Sequence, residues 1–338
     1  MKKKIKYIVS SSSLPFFLIV ISIILYFSGC DWFKGKNVSD NQVYTDTIVV
    51  DENLEPLMKI LVDDYEHTKP ERKLFVKYEP ARNCVADLVN KSAVFCLISR
   101  EFSKDENDYI KQNNLDFTKF DVCSDAVAFI VNPENPVYRV TSDDLKKIFS
   151  GQYNLWTDLN VILEAGGDSL EQNKNVKAQM KGNENKIKVY IQRQNSGTFD
   201  FVKDSVLAGL EFSKSALICS TSVQILDMIR NNKNAIGISN LSWLSKGNQD
   251  SLDATVRPLR ISKIYPNGRR DDFRQFHQGI VYQKKYPYIR VIHLYATHLV
   301  SQLNSNFINY LLKTRGQSII LENGLVPLNQ PIRTIQLN

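Results

Sequence analysis

An α/β fold built on a mostly parallel sheet is what this sequence predicts, and three observations predict it. Short apolar runs with strand character alternate along the chain with amphipathic segments that carry helix signals, the pattern of strand–helix–strand units. The composition is 43% hydrophobic and 23% charged, which excludes a disordered chain. At 338 residues the chain has room for two lobes of ordinary size, and it shows no internal repeat at solenoid spacing.

The elements follow in order. DTIVV (46–50) reads as a strand. Residues 54–70 place Leu54, Leu57, Met58, Leu61 and Val62 on one helix face, stopped by Pro70. KLFVKYE (73–79) alternates as a strand, 84–90 is a short helix, and AVFCLIS (93–99) is a buried strand. Residues 103–112 form a helix whose Ser103 and Glu106 make a capping box. DAVAFIVNPENPV (125–137) is a strand ended by Asn-Pro, and 141–151 is a helix capped by Thr141 or Ser142 and stopped by Gly151. Residues 160–186, rich in Asn, Lys, Gly and Glu, read as a surface insertion. Then come a strand (186–192), a helix (198–208), a helix (222–232), a strand (235–240) and a single long helix over 307–324.

The N-terminus is a targeting signal. MKKKIK is positive, Leu14 to Phe27 is apolar apart from Pro15 and Ser22, and Ser28-Gly29 precede Cys30. The apolar run is short for a membrane span, which needs about 20 residues. The small pair before the cysteine resembles a bacterial lipobox, which implies lipidation of Cys30. The expected organisation is a signal peptide over 1–30, a tether over 31–45, and a domain on the extracytoplasmic face of a membrane, in the periplasm or at the cell surface. Taking Lys2, Lys3, Lys4 and Lys6 from the formal charge of +7 leaves +3, and no basic stripe interleaved with aromatics appears, so nucleic acid is not an expected partner. Cys84, Cys96, Cys123 and Cys219 form no C-x-x-C pair, and small buried thiols are the expectation over disulfides.

Several segments together resemble the phosphate-binding proteins of the PstS type, the periplasmic solute-binding components of phosphate ABC importers. They are DAVAFIVNPENPV followed by LKKIFSGQYNLW, RQNSGTFDF, NAIGISN, YPYIRVIHLYAT and FINYLLKTRGQSIILENGLVPL, matching in order from about Asp46 to Arg333. The resemblance implies a two-lobed periplasmic-binding-protein type II (Venus-flytrap) fold with a mixed, mostly parallel sheet in each lobe. Lobe 1 is expected over 46–126 and 241–333 and lobe 2 over 127–240, with crossings near Ser124–Phe129 and Ser239–Trp243. It further implies a monomer without cofactor, metal or catalytic residues. Its expected partners are inorganic phosphate or another small oxyanion, an ABC permease, and a membrane reached through the lipid anchor.

The ligand-binding residues expected are Ser196, Gly197, Thr198 and Arg193 on one side, and Asn53, Leu54, Ser99 and Arg100 on the other. A helix N-terminus offers free N–H groups to an anion, glycine allows close approach, and arginine adds a charge-assisted contact. An ordinary Ser/Thr cap with Arg193 in solvent is the alternative. The opposite face departs from the family pattern. Asp51 and Glu52 stand in a turn where relatives carry small donors, and two carboxylates repel phosphate at short range. The family's buried aspartate on a later strand has no counterpart in SAVFCLISR (92–100), where Ser99 and Arg100 are the polar groups. Arg82 and Asn83 sit in a turn that could face the same cleft. A diverged cleft that binds another ligand or a protein is therefore a second expectation. A hydrolase using Ser196 is a remote third, because no Gly-x-Ser-x-Gly elbow, His-Glu-x-x-His pair or phosphate loop is present.

Overall fold

The computed structural model describes residues 47–159, 174–247, 251–298, 300 and 302–329. The signal segment, Cys30, the tether and most of the 160–186 insertion lie outside them. Among the described residues no helix is long and apolar enough to cross a membrane.

The strands are β1 (Thr47–Asp51), β2 (Phe75–Glu79), β3 (Phe95–Ile98), β4 (Thr118–Val131), β5 (Arg139–Thr141), β6 (Lys188–Gln192), β7 (Leu217–Cys219), β8 (Ala235–Asn240), β9 (Arg257–Pro258), β10 (Arg260–Ser262), β11 (Ile289–Ala296) and β12 (Val326–Pro327). The helices are α1 (Glu55–Thr68), α2 (Ala81–Val89), α3 (Lys104–Gln112), α4 (Ser142–Ser150), α5 (Gly197–Ser205), α6 (Ser222–Arg230), α7 (Leu241–Leu244), α8 (Gln278–Tyr282), α9 (Gln302–Leu312) and α10 (Thr314–Glu322).

One mixed sheet runs β2-β1-β3-β11-β4-β8-β6-β7. Its two flanks, β2-β1-β3 and β8-β6-β7, are parallel, and the centre is antiparallel. β4 is shared by both halves. Its residues from Thr118 to Ala126 pair with β11, and Val127 to Val131 pair with β8. β4 also starts seven residues before the strand expected from 125, because Thr118 to Asp121 and Cys123 pair onto β11 although charged residues interrupt the apolar pattern. Residues 257–262, expected with the first lobe, pair instead with the second half: β9 with Ile130 and Val131, and β10 with β5.

Local chemistry explains the element ends. Pro56 opens α1, whose buried Leu57, Met58, Leu61 and Tyr65 fall one and two turns apart. Ser103–Glu106 and Thr141–Asp144 form complete capping boxes. The single helix expected over 307–324 is two. Lys313 adopts an extended backbone (φ −99°, ψ 179°), and α10 folds back against α9. Gly316 permits that turn, since a Cβ there would lie 2.5 Å from the Tyr310 carbonyl oxygen. A continuous apolar core spans both halves, and a smaller cluster lies beneath α2 around Val49, Cys84, Leu88 and Cys96. All four described cysteines are buried free thiols, and burial raises the Cys84, Cys96, Cys123 and Cys219 thiols above their usual range.

Candidate functional site

The C-terminal ends of β1, β3 and β6 point into the seam between the two halves, the place where open α/β sheets hold ligands. On one side, β6 ends at Gln192 and a tight turn leads into α5. Ser196 is the N-cap, with its hydroxyl accepting the Phe199 N–H at 3.0 Å. Gly197 and Thr198 follow as buried residues of the first turn, whose leading N–H groups have no partner within a helix. The expected Ser196-Gly197-Thr198 turn is thus a buried helix N-terminus.

Facing it are the ends of β1 and β3. The two faces are so close that a Cβ on Gly197 would lie 2.5 Å from Ser99 Oγ and 2.6 Å from Asp51 Oδ2. Asp51 is fully buried. Its Oδ2 accepts from Ser99 Oγ (2.5 Å) and the Ser99 N–H (3.3 Å), while Oδ1 accepts from the Asn53 N–H (3.2 Å) and Asn53 Nδ2 (2.9 Å). Asn53 in turn accepts from Gln192 Nε2 at 2.8 Å, across the seam. Ser99 and Asn53 therefore do lie opposite the α5 turn, and both give their hydrogen bonds to an acid of the chain itself. Leu54 is a fully buried apolar residue at the start of α1 and presents no donor side chain.

Both expected arginines are paired. Arg193 Nη2 donates to Glu52 Oε2 at 2.7 Å. Arg100 forks onto Glu106 at 2.7 and 2.8 Å, and its Nε stands 3.0 Å from Asp200 without hydrogen-bond alignment. Arg100 thus spans toward α5, and its carboxylate partner is Glu106 rather than the neighbouring Glu101. Burial works to raise the Glu106 carboxyl, yet Arg100 and the Ser103 cap hold it below the usual range. Glu52 goes the other way. Burial pushes it up to about 7, with Arg193 opposing and Asp51 reinforcing. Arg82 and Asn83 also face the seam: Arg82 pairs with Asp200 at 3.2 Å, its N–H donates to the Asn195 carbonyl, and Asn83 accepts from Asn195.

Behind the turn lies an ion pair that the sequence reading did not single out. Asp125, where β4 changes partner from β11 to β8, accepts from Arg290 at 2.8 and 3.0 Å, from Asn240 Nδ2 at 2.8 Å and from the Leu241 N–H at 3.1 Å. Arg290 also donates to Thr198 Oγ1 at 3.0 Å. The signal was present: a charge inside each of two apolar strands, DAVAFIV and YIRVIHLYA, is rarely buried without a partner. Trp243 donates to the Glu52 carbonyl at 3.2 Å and Trp156 to the Asn234 carbonyl at 3.1 Å, so both serve as packing residues. A cavity of about 740 Å³ lies elsewhere, rimmed by Lys263, Arg269, Arg274, Lys284 and Lys285, and shares no residue with the seam.

A family profile described as the PBP superfamily domain matches residues 38–315. The chain belongs to the PBP superfamily. Among curated relatives it is similar to the phosphate-binding protein PstS of Pseudomonas aeruginosa, 20% identical over 88% of this chain and 86% of that protein. The PstS of Borreliella burgdorferi is 19% identical over 91% of this chain and 98% of that protein. The match to the Staphylococcus haemolyticus PstS is 25% identical but spans 47% of this chain and 43% of that protein. Two solved structures share the fold. One, described as a phosphate ABC transporter substrate-binding protein with bound phosphate from Clostridium perfringens, has a TM-score of 0.65 at 19% identity, covering 83% of this chain and 98% of that one. The other, an ABC-type phosphate transport receptor from Vibrio cholerae, has a TM-score of 0.57 at 18% identity, with the same coverage. The PstS-type resemblance read from the sequence is borne out in fold and family.

Proposed function

We propose that this PBP-superfamily chain is an extracytoplasmic solute-binding protein that captures a small oxyanion, phosphate first, and delivers it to an ABC permease. The observation that carries the reading is the buried first turn of α5, with Ser196, Gly197 and Thr198 aimed across the seam at the ends of β1 and β3. Relatives named as phosphate-binding proteins, aligned over most of this chain, support the ligand class. The ligand shell would draw on Ser196, Gly197, Thr198, Arg193, Asn53 and Ser99, with Arg100 bracing the shell through Asp200 on α5. Cys30 would carry the lipid that holds a monomeric domain at the membrane, and labelling with a radioactive fatty acid should be lost in Cys30→Ala. Calorimetric titration of the chain with phosphate, sulfate and molybdate tests the function. Binding of at least one, weakened by Thr198→Ala, is expected; silence with all three overturns the oxyanion reading.

A second reading keeps the fold and changes the ligand. The fully buried Asp51 and the acid Glu52 favour it, because both occupy the face that would meet an anion. In that case the seam serves a partner that brings hydrogen-bond donors. A hydrolase reading would require a base within reach of the Ser196 hydroxyl, whose oxygen accepts the Phe199 N–H as the cap of α5.

A further inference from the structure

Of the groups that would grip a captured oxyanion, Asn53, Ser99 and Arg193 already hold an acid of the chain, and Gly197 faces one. Ser99 gives Asp51 two hydrogen bonds and Asn53 gives it two more. Four donors converging on one buried carboxylate is the environment that a desolvated anion needs and that an ordinary surface aspartate lacks. The α5 N-terminus completes it. Oδ2 lies against Gly197 in the first turn of α5, where the positive end of the helix dipole favours negative charge.

We propose that Asp51 is the resident anion of this seam: its carboxylate lies against the α5 N-terminus where a solute oxyanion would bind, so Asp51 and solute compete for one place. The inference rests on the oxyanion reading for what displaces Asp51, but the cover that Asp51 gives the α5 turn stands apart from it. Space decides between displacement and sharing. A methyl group on Gly197 would collide with both Ser99 and Asp51, so no ion fits beside the carboxylate while the seam is closed. A second anion at such range is also repelled. Solute therefore enters by displacing Asp51, and residue 51 sets both affinity and selectivity.

Other pairs cross the seam around this carboxylate. Arg82 reaches Asp200 and the Asn195 carbonyl, Arg193 reaches Glu52, and Gln192 reaches Asn53. Glu52 Oε1, Gln192 Oε1 and Arg193 Nε nevertheless lack partners. Unpaired buried polar atoms are costly, so the seam has groups free to reorganise when Asp51 leaves.

Two measurements on the full chain test this, with Asp51→Ser and the near-isosteric Asp51→Asn, each checked by circular dichroism for folding. The first is ligand-free hydrogen exchange of backbone amides over 193–201. Faster exchange in both variants is expected, because the turn loses the carboxylate that covers it. Unchanged exchange would overturn the resident-anion proposal whatever the protein binds. The second is calorimetric titration with inorganic phosphate. The variants are expected to bind about tenfold or more tightly than the native chain, or to bind where it does not, a gain of about 1.4 kcal/mol per factor of ten. Native binding that is equal to or tighter than that of the variants would overturn displacement and leave the oxyanion reading standing. Variants that show faster exchange but no phosphate binding would uphold Asp51 as the cover of the turn and sink the oxyanion reading.

Discussion

The two faces of the seam are built from the same kind of part and carry opposite meaning. On the α5 face a strand ends, a serine caps a helix, and a buried glycine leaves backbone donors open, which is an arrangement that receives an anion. On the β1/β3 face a strand also ends in a capping side chain, but that side chain is Asp51, which supplies an anion. The comparison teaches that a helix N-terminus defines where negative charge goes and leaves open whose charge it is. The residue opposite decides that.

The largest effect should come from the ion pair behind the α5 face. Arg290 and Asp125 are almost fully buried and tie β4, β11, α5 and α7 together. Removing one partner leaves an uncompensated buried charge, so Arg290→Ala or Asp125→Ala should destabilise the chain by about 3–5 kcal/mol in urea unfolding. A loss below 1 kcal/mol would mean that the faces do not depend on this hub. Next comes the contact between the faces. Gly197→Ala should lose about 1–3 kcal/mol, because its methyl meets Ser99 and Asp51. The comparison variant Gly209→Ala, with φ +82° and no atom within 4 Å, should lose only the strain of its backbone, about 1 kcal/mol. Equal losses at the two sites would indicate that the faces stand apart in solution.

The acid face also predicts a pH response. Glu52 has an ordinary value of 4.5 and is pushed up to about 7, chiefly by burial, with Asp51 and Glu55 reinforcing and Arg193 opposing. Between those values the folded chain binds a proton that the unfolded chain has released, so this group makes stability fall as pH rises from 4.5 to about 7. Glu52→Gln should remove that downward component, seen as a flatter difference between variant and native unfolding curves across that window. Identical pH profiles would place Glu52 in water. The smallest effect belongs to Arg193→Ala. Its side chain is about a third exposed, so losing the Glu52 pair should cost under about 1 kcal/mol of stability.

How much of this was legible in the sequence follows the same division. The fold was readable because alternation, caps and stops are local. The Pro70 stop, the Ser103–Glu106 box, the Thr141 cap and the Ser196-Gly197-Thr198 turn each act within a few residues. The acid character of 51–52 was readable too, as a departure. Where the acids point was not. The Asp51–Ser99 bond joins residues 48 apart and the Arg193–Glu52 pair residues 141 apart. Arg100 was placed as a ligand donor, yet Glu106, in the first turn of α3, takes its fork. The break at Lys313 was hidden because apolar residues recur on both sides of it, from Leu311 and Leu312 to Ile319 and Ile320, and the close packing at Gly316 makes the turn.

The central claim is that Asp51 and a solute oxyanion compete for the α5 N-terminus. Titration of phosphate into the native chain and into Asp51→Ser, side by side in one buffer, tests it most directly. The account predicts binding that is tighter in the variant by about tenfold or more. Equal or weaker binding in the variant would contradict it.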